Sequence, residues 1–118
     1  MILCAILDER IVGAASLTRP AKKGKLKHRA IFAIALDRKV WGKGLGRTLT
    51  EVCINCAKEA AYLQLELEVV ASNQAALALY KSVGFVEYGR NPKAFLTRKG
   101  NYQETLLMRL ELDSYAAK

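Results

Sequence analysis

At 118 residues, 52% hydrophobic and 25% charged, the chain has the composition of a folded globular protein and not of a disordered one. Its length suffices for one core but not two, so residues 1–118 are expected to form a single domain. No apolar run approaches the ~20 residues that span a bilayer and nothing reads as a signal peptide, so a soluble, cytoplasmic protein without membrane partners is expected.

Residues 1–7 (MILCAIL) and 11–17 (IVGAASL) are apolar runs on either side of the charged turn Asp8-Glu9-Arg10, the pattern of an antiparallel hairpin. A basic stretch containing Gly24 follows as a loop. Residues 30–36 (AIFAIAL) are apolar at every position, which predicts a central strand covered on both faces. From Leu45 the period changes: Leu45, Leu49, Val52, Cys53, Cys56, Ala57 and Ala60 recur at steps of three and four, predicting a helix with one buried stripe. Leu65, Leu67 and Val69 then alternate with Glu66 and Glu68 as in a half-exposed strand. Ala76, Leu79, Tyr80 and Val83 mark a second helix, stopped by Gly84 as a left-handed cap. Residues 85–88 and 104–112 predict two last strands, joined by a loop holding Pro92 and the Lys99-Gly100-Asn101 turn. The expected order is β-β-β-α-β-α-β-β, an α/β (α+β) fold with a mixed, mostly antiparallel sheet and helices on its faces.

Cys53 and Cys56 form a C-x-x-C, but the single histidine, His28, and the lack of a second such pair leave a zinc site short of ligands. Both fall on the helical stripe, which favours a core role over redox chemistry. The formal net charge of +8 is uneven: Arg19, Lys22, Lys23, Lys25, Lys27 and Arg29 run without an acid, and Arg38, Lys39, Lys43 and Arg47 surround a glycine string. Such groups suit the phosphates of a ligand, nucleic acid, or a solvated loop; no aromatic residues interleave with them, which disfavours nucleic acid.

Two strings carry chemistry. Residues 41–47 (WGKGLGR) place Gly42, Gly44 and Gly46 just before the first helix. A helix N-terminus offers unpaired N–H groups and partial positive charge, and glycines let a pyrophosphate approach them. The spacing is neither that of a Rossmann site nor that of a P-loop. One helix and strand later comes N-Q-A-A-L-A-L-Y-K-S-V-G-F, residues 73–85. The ordered pair resembles the cofactor half of the GNAT superfamily of acetyl-CoA-dependent N-acyltransferases, and the resemblance covers most of the chain.

That resemblance implies acetyl-CoA as cosubstrate and an amine as acceptor. It implies pyrophosphate binding by the amides around Trp41, Gly42, Lys43, Gly44, Leu45, Gly46 and Arg47, with Trp41 standing where the family usually has Gln or Arg. Backbone groups of Ile34, Ala35 and Leu36 would pair with the pantetheine arm, Asn73 would anchor that arm, and Tyr80 would protonate the departing thiolate. A core aromatic is the competing reading of Tyr80. The glutamate that many relatives carry on the central strand is absent, leaving Glu66, Glu68, His28 and Asp37 as candidates for the base. Leu107, Tyr88 and Tyr102 are candidates for an acceptor pocket or for plain core and surface positions. The chain opens where the family has its second and third strands, so the preceding strand and helices that wall the acceptor site are expected to be lacking; an edge strand thereby exposed would favour a homodimer. Residues 100–108 (GNYQETLLM) resemble bacterial members that acetylate small amines or protein N-termini. A non-catalytic coenzyme A-binding module is the alternative from another class.

Overall fold

The computed structural model describes residues 2–7, 9–20 and 24–112. Alternating apolar segments pair in sequence at the N-terminus: β1 (Ile2–Leu7) and β2 (Arg10–Thr18) form the expected hairpin around Glu9, whose φ is 64°. Of the turn's three charged residues, Asp8 lies outside the described residues, as do Met1 and the two lysines Lys22 and Lys23 of the basic loop. A short 3₁₀ turn at Gly24–Leu26 leads into β3 (Arg29–Leu36), antiparallel to β2. The helix α1 (Leu45–Glu59) then returns the chain to β4 (Gln64–Val70), parallel to β3. After α2 (Gln74–Ser82) come β5 (Val86–Leu96) and β6 (Tyr102–Glu111), and the sheet order is β1-β2-β3-β4-β6-β5. The mixed, mostly antiparallel sheet and the order of elements are those expected.

Residues of one strand face alone supply the sheet's share of the core. Ala15, Leu17, Ala30, Phe32, Leu65, Leu67, Val69, Leu106 and Met108 pack with Leu49, Cys53, Ile54, Ala57, Leu77 and Tyr80 of the helices. Burial of these side chains contributes about 25 cal/mol per Å² of apolar surface removed from water, the main driving force here. The opposite face of β3 is open: Ile31 is 39% exposed, and Ala33 and Ala35 are exposed as well. An all-apolar strand was expected to be covered on both sides; the described helices occupy only one.

Three local expectations are also corrected. In α1 the buried stripe is Leu49, Thr50, Cys53, Ile54 and Ala57, whereas Val52 and Ala60 face solvent. Thr50 tolerates burial because its hydroxyl donates to the Gly46 carbonyl at 2.7 Å. The expected loop around Pro92 is strand: β5 runs through it for 11 residues, and the pairing to β6 shifts register between Asn91 and Phe95. Proline's missing N–H is tolerated there because β5 is the sheet's edge and the break removes the bond that proline could not make. The third correction, at Glu66, belongs to the site.

Cys53 is buried, which pushes its thiol up to about 11, while Cys4 is exposed and none of the three cysteines is paired. The thiolate is the reactive form. Ellman's reagent at pH 8 should therefore titrate Cys4 rapidly and leave Cys53 unmodified until the chain unfolds; equal rates at both would contradict the burial. Among the described residues no group of histidine, cysteine or acidic side chains can hold a metal, and no helix is long and apolar enough to cross a membrane.

Candidate functional site

β3 and β4 are paired over three rungs only, Arg29↔Gln64, Ala30↔Leu65 and Ile31↔Glu66. Past Ile31 they part, while β3 stays bonded to β2 as far as Gly13↔Leu36. The fork leaves one edge of β3 without a strand partner, a row of backbone donors and acceptors able to take an extended ligand. Ile34, Ala35 and Leu36 form one wall of a cleft of about 520 Å³ in this fork. That volume lies within the range of small-molecule sites.

The base of the cleft is the turn between β3 and α1. Asp37 accepts from the Lys39 N–H at 3.1 Å and starts a short 3₁₀ turn, Arg38–Val40. The Trp41 indole donates to the Leu36 carbonyl at 3.1 Å, and Arg38 lies 5.5 Å from its ring centroid. Trp41 thus ties the loop to the end of β3, a contribution that a glutamine or arginine would make differently. Gly42 and Gly44 have φ of 76° and 79°, values that side-chain-bearing residues rarely adopt. Gly44 is the N-cap of α1, which has neither a side-chain cap nor an acid in its first turn. Its first amides are therefore available, and a Cβ built on Gly42 or Gly44 would meet nothing within 4 Å. Bare amides beside empty space suit a pyrophosphate.

The other wall comes from α2. Asn73 is its N-cap, its side-chain oxygen accepting from the Ala76 N–H at 3.2 Å. Tyr80 is only 6% exposed, packed edge-on against Phe32 at 6.3 Å and Phe85 at 5.8 Å between centroids. Burial raises its phenol above the ordinary value, so it holds its proton at neutral pH. Tyr80 belongs to the core cluster and also lines the cleft. The two readings of Tyr80 are thus compatible.

Of the expected site residues, Ile34, Ala35, Leu36, Trp41, Gly42, Gly44, Gly46, Arg47, Asn73 and Tyr80 line this one cleft. Lys43 is exposed beside it and Leu45 packs toward the core, so neither lines it. Arg47 donates to the Ser82 hydroxyl at 2.5 Å, joining α1 to α2 at the rim. The lining also includes Val40, Ala75, Ala76 and Leu79. All four lie inside or next to the two strings, so the strings marked the place and only the side-chain directions were lacking.

The candidate bases separate by environment. Glu66, expected to be half exposed, is buried: Arg29 donates to both of its oxygens and the Gln64 amide donates at 2.7 Å. The Arg29 guanidinium holds its carboxyl below the usual carboxylate range against the opposing effect of burial. Asp37 is spent on its cap. His28 sits in an exposed turn whose carbonyl receives the Leu63 and Gln64 N–H groups. Glu68 is exposed on β4, two residues past the last rung, and accepts from the Thr105 hydroxyl at 2.6 Å.

A forked mixed sheet with a glycine-headed helix at the fork defines a class, and the sequence match is to the same class: the chain belongs to the acetyltransferase (GNAT) family, matched over residues 1–85. Among its relatives is the ribosomal protein bS18-alanine N-acetyltransferase of Salmonella typhimurium, 37% identical over 87 residues that make up 74% of this chain and 58% of the relative. The chain thus spans somewhat over half the length of that relative. A GNAT acetyltransferase from Streptococcus pneumoniae superposes with a TM-score of 0.87 at 29% identity, covering 93% of this chain and 66% of the other. An acetyltransferase from Salmonella typhimurium, solved with its cofactor acetyl-CoA, shares the fold with a TM-score of 0.86 at 22% identity over 95% of this chain and 64% of that one.

Proposed function

We propose that residues 1–118 act as one domain that transfers acetyl from acetyl-CoA to a primary amine by direct attack within a ternary complex. The observation that carries this reading is the convergence of the β3 edge, the bare α1 N-terminus, Asn73 and Tyr80 on a single cleft. The amides of residues 42–47 would hold the pyrophosphate, with Lys43 and Arg47 adding charge at the rim. Ile34, Ala35 and Leu36 would pair with the pantetheine arm, and Asn73 would fix its turn. As the amine attacks the thioester carbonyl, the carbon–sulfur bond breaks and Tyr80 gives its proton to the departing thiolate.

The attacking amine must first be neutral. Glu68 is the carboxylate we assign to that proton, directly or through water, because Arg29 and Gln64 hold Glu66 and Asp37 caps the turn after β3. Glu68, by contrast, is exposed two residues past the last rung and accepts from the neutral Thr105 hydroxyl. Acceptors compatible with the family are small amines and protein N-termini, and the bS18-alanine acetyltransferase similarity favours the latter. Homodimerisation through β1 is part of the same proposal, since Ile2 and Ile6 on that edge strand are 74% and 67% exposed. A cytoplasmic location, where acetyl-CoA and ribosomal proteins meet, completes it, and nucleic acid is not among the proposed partners.

Calorimetric titration tests the donor site. Acetyl-CoA should bind saturably and ATP should not; a folded sample that binds neither would remove the proposal. The open face of β3 beside the fork favours a second reading, a coenzyme A-binding module without turnover, which predicts binding but no acetylation of any amine.

A further inference from the structure

Among the described residues, the one charged side chain that is buried, Glu66, lies on the open side of the sheet at the root of the fork. Arg29 on β3 and Glu66 on β4 occupy two of the three rungs that hold these strands together. Their side chains point to the face opposite the core, where Glu66 is 5% exposed and Arg29 is partly buried. Arg29 grips both carboxylate oxygens, the two-toothed geometry that fixes direction as well as distance. Gln64 adds a third bond at 2.7 Å, and the Tyr88 hydroxyl reaches over β6 from β5 to within 3.5 Å.

We infer that the Arg29–Glu66 pair is a staple that sets where β3 and β4 part, and that Arg29 and Glu66 are therefore positioning residues for the acyl donor. The inference rests on the reading of the cleft as an acetyl-CoA site. Neither Arg29 nor Glu66 lines the cleft, and the pair acts through β3. Parallel pairs are slightly weaker per residue than antiparallel ones, and three rungs alone leave a short hinge. Ile34, the first lining residue, stands three residues past Ile31, about 10 Å along an extended strand. A small change of angle at the rungs therefore moves the β3 edge by a large fraction of a hydrogen-bond length. An apolar pair would hold the strands together as well, yet it would not fix their relative direction.

The test uses the whole chain with Glu66→Gln, which turns an acceptor atom into a donor facing Arg29, and the milder Arg29→Lys, which keeps the charge but loses the fork-shaped grip. Each is measured for acetyl-CoA affinity, for donor KM and kcat, and for amide exchange at residues 29–31 and 64–66. The expected result for Glu66→Gln is about tenfold weaker donor affinity and a matching rise in donor KM, with kcat at saturating donor retained. Arg29→Lys should fall between it and the unaltered chain, and exchange at the rungs should rise in the same order. The swap Arg29→Glu with Glu66→Arg should restore part of the affinity. Variants that melt earlier but keep donor affinity and rung exchange would overturn the staple and leave a purely stabilising pair. If the unaltered chain itself binds no acetyl-CoA, the donor reading fails, and rung exchange alone then decides whether the pair sets the fork.

Discussion

Tyr80→Phe should lower kcat by about 10²- to 10⁴-fold while leaving acetyl-CoA affinity within about twofold, because general acid–base groups contribute at that scale and the ring itself is retained. The packing argument makes this substitution clean. The aromatic contacts to Phe32 and Phe85 use the ring, and phenylalanine reproduces them. Phenylalanine removes only the hydroxyl, at a residue that lines the cleft as well as the core. With the phenol held protonated by burial, the rate proposed for the unaltered chain should hold through neutral pH as far as this acid is concerned. A pre-steady-state measurement with a good acceptor amine and pure acetyl-CoA reads the chemical step. An unchanged rate would assign Tyr80 wholly to the core and leave the thiolate to be protonated by solvent.

The second large effect is expected at Gly44. Gly44→Glu should weaken acetyl-CoA binding by at least about 100-fold, some 2.7 kcal/mol. Two causes add. The position has φ of 79°, where a side chain costs roughly 1–2 kcal/mol of backbone strain. The new carboxylate would also stand in the empty space over the α1 N-terminus and repel the phosphates that the bare amides would otherwise attract. Gly44→Ala separates these terms, since it carries the strain without the charge. Calorimetry on both variants, with melting curves to confirm folding, checks the order expected: alanine intermediate, glutamate weakest. Full affinity in a folded Gly44→Glu protein would remove the pyrophosphate from this turn.

Much of this architecture was legible because local and global signals agree. The step-of-three-and-four spacing placed α1 from Leu45, the alternation at residues 65–69 placed β4, and Gly84, with φ of 108°, stops the second helix as its position suggested. The two strings fell on one cleft, the first at its base and the second along a wall. What could not be read was set by partners distant in sequence. Glu66 looks like the solvent-facing half of an alternating strand until Arg29, 37 residues earlier, is brought beside it. The open face of β3 has the same composition as a covered one, since exposure depends on what packs against it. Pro92 argued for a loop and is tolerated in a strand only because β5 lies at an edge. Val52 and Ile54 are equally apolar, and the direction of α1 across the sheet decided which of them is buried.

The placement of β6 between β4 and β5 has a consequence for how the protein is made. During translation the chain emerges from the N-terminus, and domains tend to form as their segments become available. Here β1 to β4 can pair as they leave the ribosome, but β5 has no neighbour other than β6, and β4 waits on the same strand for its second edge. Until residues 102–111 are clear of the exit tunnel, the edges of β4 and β5 that pair with β6 stay unpaired. β6 is therefore the strand that commits this side of the sheet, and a chain released before residues 102–111 would lack the pairing that joins β4 to β5.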